Sequence, residues 1–210
     1  MNESLEQRKG TIVALTWAYI AVYAFVNVVL FFIGCCQIVS SLSESGMDEA
    51  EADVQLDFFG IMQVSLLPFV VIISVLFFFY LRQLWKEIPS PFASTTPGKA
   101  AGYSLVPLFC CYWWFKSILG LVDDMNKFIV HHHCGSPLPT RAVALLCAFW
   151  VASHCYGLMG VFLPEDLLGL NILNALSIPV EICITCWGIY YLHSITLQFM
   201  DIKKSIENTA

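Results

Sequence analysis

Apolar residues in this chain come in long unbroken runs, with no period of two and little of 3.6. Four runs carry no Lys or Arg in their cores: residues 11–34, 58–81, 142–163 and 167–197. A helix needs about 20 apolar residues to cross a hydrocarbon core, where backbone groups find no water to bond. The four runs therefore predict four transmembrane helices. The second contains Pro68, and the fifth stretch overall, 167–197, contains Pro179 and is long enough to tilt or kink.

The remaining stretch, at 102–122, reads differently, because Gly102, Pro107, Lys116 and Gly120 all fall inside it. Lys116, Gly120, Asp123 and Lys127 recur every three or four residues and form one polar stripe on a helix. Tyr112, Trp113, Trp114 and Phe115 supply a cluster of aromatic side chains, the residue type that favours headgroup depth. Pro107 suits the first turn of such a helix, where a missing N–H is harmless. Residues 102–128 are thus expected to form a re-entrant or interfacial amphipathic segment.

Charge supports that assignment. If 102–122 does not cross, all 10 Lys and Arg residues lie on one side of the membrane, while the loops at 43–57 and 164–169 hold none. Loops rich in Lys and Arg stay cytoplasmic, which puts both termini in the cytoplasm. Five crossings would split the basic residues between the two faces, and Lys116 near the bilayer centre would cost ~2.5–3.5 kcal/mol. The expected fold class is an all-α membrane protein, a single integral-membrane domain over residues 1–210. It has four transmembrane helices and one re-entrant or interfacial segment.

Composition agrees: 58% of residues are hydrophobic and 12% charged, with mean hydropathy +0.73. A net charge of −6 and the lack of a basic stripe exclude nucleic acid as a partner. The expected partners are the lipid bilayer and a second copy or another membrane protein. Nine cysteines do not make a disulfide framework, since most fall inside apolar runs and Cys134 lies on the predicted cytoplasmic side. The run from Thr11 is too long for a signal-peptide core, so the first helix is read as uncleaved.

The run Thr96-Pro97-Gly98-Lys99-Ala100-Ala101-Gly102, followed by Pro107-Leu108-Phe109, Tyr112-Trp113 and Phe115, resembles a box shared by uncharacterised bacterial multi-pass membrane proteins. Gly120-Leu121 and the pair Asp124 and Asn126 match its tail, whereas Cys110 or Cys111 stands where that family has Asn. The resemblance covers residues 96–127 and implies a bacterial inner-membrane bundle without naming an activity. The TPGK turn is also similar to that of RDD-family membrane proteins, whose intrahelical Arg and Asp residues this chain lacks.

Chemistry-bearing residues are few. Glu181 is the one acid inside a predicted span, and Asn171, Asn174, Ser177, Glu181 and Thr185 share a helical face. Antiparallel packing of the last two helices would bring His154 to roughly the depth of Glu181, with Asn27 of the first helix at a similar level. The functional reading is a polar pocket or proton relay; the structural one is interhelical hydrogen bonding. Cys183-x-x-Cys186 has the spacing of a redox pair, as in membrane thiol-disulfide oxidoreductases, but the outer loops hold no partner thiol. His131, His132, His133 and Cys134 are adjacent, a poor spacing for one metal ion. No cofactor, metal site or catalytic constellation is expected. The preferred function is a non-enzymatic membrane component or accessory subunit; the alternatives are a small solute or proton translocator and a membrane redox enzyme.

Overall fold

The computed structural model describes residues 4–43, 61, 64–106, 109–162 and 168–209. The acidic loop, the start of the second run, Pro107 and most of the loop near 164–169 lie outside that set. Among the described residues these helices follow in order: α1 Leu5–Ser43, α2 Leu67–Lys86, α3 Pro97–Gly102, α4 Phe109–His131, α5 Thr140–Phe162 and α6 Leu168–Thr209. A 3-10 turn at Tyr103–Leu105 joins α3 to the approach of α4, and no strand occurs among the described residues.

Three of these helices are long and apolar enough to cross a membrane: Leu5–Cys36, Leu67–Lys86 and the described part of α6, Ser177–Asn208. Within α5, Thr140–Ser153 forms a shorter apolar run. The chain is an all-α membrane protein. The helices overrun the predicted spans: α1 begins at Leu5 and α2 runs on to Lys86, while α6 continues to Thr209. Hydropathy marks where apolar side chains stop, whereas helical hydrogen bonding carries on into polar flanks such as Arg82–Lys86 and Asp201–Asn208.

α1 packs against α6 and α2, α4 against α5, α5 against α6, and α3 against α2. The tightest core joins α2, α4 and α6 through Tyr80, Leu84, Trp85, Leu121, Met125 and Phe199, all at most 1% exposed. It sits toward the end where α1 begins and α2 and α6 finish. Elsewhere large apolar side chains point outward, among them Phe25, Phe32, Leu67, Val71 and Ile72. Such a surface suits acyl chains and would be a liability in water. Gly188 lets α6 approach α5, because a Cβ there would sit 2.5 Å from Leu146 Cδ1.

Candidate functional site

Two groups of polar side chains stand out. The first is the basic end of the bundle. Arg8 Nη1 on α1 donates to Glu87 Oε2 at 3.0 Å, just past α2, and Lys203 Nζ on α6 donates to the Glu87 carbonyl at 3.0 Å. Lys9 pairs with Asp201. Three helix ends are thereby tied together, and the basic residues of the termini and of α2 share one pole. Glu87 is 3% exposed, and burial pushes its carboxyl above the ordinary 4.5, with Arg8, Lys203 and Lys86 pulling the other way.

Residues 96–106 and the first part of α4 pack together as a hairpin at this pole. Thr96 caps α3 by accepting from the Lys99 amide at 3.4 Å, with Pro97 in the first turn. α4 then returns alongside: Trp113 Nε1 donates to the Ala100 carbonyl at 2.9 Å and Trp114 Nε1 to that of Ser104 at 3.2 Å. Ser117 donates to the Ala100 carbonyl at 3.4 Å and accepts from Trp85 Nε1 at 3.2 Å, which fixes the hairpin to α2. Asp124 closes its base by accepting from the Ser94 amide at 2.6 Å, and it also accepts from Lys127 Nζ at 2.7 Å. That hydrogen bond raises the Lys127 pKa.

Asn126 clamps the next loop. Its Oδ1 accepts from the Leu138 amide at 2.6 Å, and its Nδ2 donates to the Leu138 carbonyl and to Thr140 Oγ1, each at 3.1 Å. Of the predicted stripe, Lys116, Asp123 and Lys127 are exposed, whereas Gly120 is half-buried against Trp85; Ser117, Leu121, Asp124, Met125 and Phe128 face inward. Lys116 lies 6.0 Å and 5.7 Å from the ring centroids of Tyr112 and Trp113. A Cβ on Gly98 or Gly102 would meet nothing within 4 Å, so packing alone does not require these glycines. His131 and His132 lay their rings against Phe92, at 5.2 and 5.9 Å.

The second group runs between α1, α2 and α6. Tyr23 Oη lies 3.3 Å from Glu181 Oε1 and 3.4 Å from Thr185 Oγ1. Asn27 instead donates to its own helix, at the Tyr23 carbonyl, 2.8 Å away. The side chains of His154 and Asn174 lie outside the described set, and the described hydrogen-bond partner of Glu181 is Tyr23 of α1. Nearer the basic end, Thr16 Oγ1 donates to the Ile12 carbonyl at 2.8 Å and lies 3.1 Å from His193 Nδ1. Which of the two donates follows from the tautomer of His193. Tyr80 Oη donates to the Ile189 carbonyl at 3.3 Å.

His193 and Glu87 escaped the sequence reading. His193 is 6% exposed, yet in the sequence it sits between Tyr190-Tyr191 and Ser194 with nothing to mark it as buried. Glu87 follows Lys86 at the end of a helix and reads as an ordinary solvated flank. Cys183 is exposed and Cys186 half-buried, and both are free thiols. Among the described residues no group of three His, Cys, Asp or Glu side chains is disposed to hold a metal. Compared with family models, curated proteins and solved structures, the chain matches none.

Proposed function

We propose that this chain is a non-enzymatic multi-pass component of a bacterial cell membrane, an accessory or scaffold subunit akin to the family its 96–127 box resembles. The reading has four crossings, both termini cytoplasmic and the hairpin dipping into the cytoplasmic leaflet. One observation carries it. Polar groups of the box hold the fold: Trp113, Asp124 and Asn126, with Trp114 and Ser117 between them, are bonded within the chain. Beside the exposed Lys99, Lys116, Asp123 and Lys127, the hairpin turns an apolar and aromatic face outward, with Tyr103, Leu105, Phe109 and Tyr112 between 41% and 60% exposed. A segment so built presents a shape and a greasy face for lipid or a neighbouring helix.

A photoreactive amino acid at Tyr112, activated in native membranes, should give a discrete protein adduct, with a second copy or another membrane protein. Adducts with lipid alone would refute the subunit reading. Topology is tested at Cys134: a membrane-impermeant thiol reagent should distinguish wild type from Cys134→Ser only after permeabilisation. Labelling in intact cells would mean five crossings.

The translocator reading rests on the Tyr23–Glu181–Thr185 cluster, an ionisable group at an interhelical contact. It requires that Glu181→Gln abolish proton or solute flux in proteoliposomes. The subunit reading requires only a loss of packing, ~0.6–2 kcal/mol per contact.

A further inference from the structure

A cleft of about 270 Å³ opens between α1 and α2, lined by Thr11, Leu15, Phe79, Arg82, Gln83 and Lys86. Its lining is sorted by position along the helices. Arg82, Gln83 and Lys86 are in the last turns of α2 and Thr11 is in the early turns of α1, toward the basic pole. Leu15 and Phe79 lie about one turn deeper on each helix. Phe79 leads onto an outward apolar track on α2 through Val75, Ile72 and Val71, each at least 44% exposed.

The cations of the cleft differ from their neighbours. Arg8 and Lys9 are engaged by Glu87 and Asp201, whereas Arg82 and Lys86 have no ion-pair partner among the described residues. Among the described residues no acid lines the cleft, although the chain as a whole carries a net charge of −6. Glu87, the next residue in sequence, is buried and turned to Arg8 at 3.0 Å. Two exposed cations one helical turn apart, an amide and a hydroxyl above an apolar wall suit an amphipathic anion with its charge at one end.

We propose that the α1–α2 cleft binds an anionic glycerophospholipid, its phosphodiester held by Arg82 and Lys86 and its acyl chain laid along Leu15 and Phe79. Thr11 donates its own proton to the Gln7 carbonyl at 3.0 Å, so within the cleft Gln83 is the neutral donor to the headgroup. A bilayer supplies the ligand at high local concentration. The selectivity comes from charge, because a zwitterionic headgroup carries its own cation into the same space.

The test is lipid retention by the full-length protein, released from detergent and titrated with phosphatidylglycerol, phosphatidylcholine or inorganic phosphate. Phosphatidylglycerol should bind selectively, and Arg82→Gln combined with Lys86→Gln should weaken it about thirty-fold, the effect of two interfacial cations. Arg82→Lys with Lys86→Arg should retain the selectivity, and Lys204→Gln, at an exposed site on the C-terminal flank, should leave it unchanged. All the substituted side chains are exposed or half-buried, so folding is not at issue. Equal binding of phosphatidylcholine, or an unaffected double Gln variant, overturns the proposal. Displacement of the lipid by millimolar inorganic phosphate overturns it too, since the site would then recognise a free anion.

Discussion

Asp124→Ala removes the one side chain that closes the base of the hairpin. The carboxylate is fully buried and accepts from the Ser94 amide at 2.6 Å and from Lys127 at 2.7 Å. The Lys127 side chain is 61% exposed, so its pair with Asp124 contributes at most about 1 kcal/mol after screening. The charge-assisted bond to the Ser94 amide is worth about 1.5–3 kcal/mol. Opening of the base should therefore become easier by about 2–3 kcal/mol, a thirty- to hundred-and-fifty-fold gain in local exchange. Hydrogen exchange of a peptide spanning residues 92–99 in detergent micelles reads this directly. Asp124→Asn keeps one oxygen that still accepts from Ser94 and turns its amide toward the mobile Lys127, so its effect should be only a few-fold. Unchanged exchange in the Ala variant would show that the base is held by packing and that the hydrogen bond is incidental. Equal loss in the Asn variant would show that the charge matters more than the acceptor.

Asn126→Ala breaks three hydrogen bonds to the loop before α5 and should cost about 1.5–3 kcal/mol, seen as a lower melting temperature; Asn126→Asp, which keeps the acceptor, should fall between. Gly188→Ala drives a Cβ into Leu146 and should destabilise by about 1–3 kcal/mol, and adding Leu146→Ala should recover part of that loss rather than sum with it. For Glu87 the sign follows from its raised pKa: the native state holds the proton more tightly than the unfolded one. Its contribution is fully present below pH 4.5 and is lost as pH rises through the native value, so stability relative to Glu87→Gln should fall with pH. A difference that grows with pH would mean that Arg8 outweighs desolvation.

Helix content, the outward-facing apolar surface and the clustering of basic residues at one pole were legible in the chain, because each follows from local hydrophobicity and charge. So were Lys116, Asp123 and Lys127 on the exposed face of α4, since such a face repeats with helical period, although Gly120 between them packs against Trp85. Asp123 and Asp124 show where that reasoning stops. The two acids are neighbours in sequence but about 100° apart on a helix, and the tertiary structure buries one while leaving the other in solvent. Glu181 was visible as a lone acid in an apolar run, but its partner Tyr23 is 158 residues away and looks like any interfacial tyrosine. Glu87 and His193 carried no sequence signal, because burial depends on which helix ends meet. Periodicity sets what each helix turns inward; only the packing of α1 against α2 and α6 decided which polar groups met there and which cations were left open in the cleft.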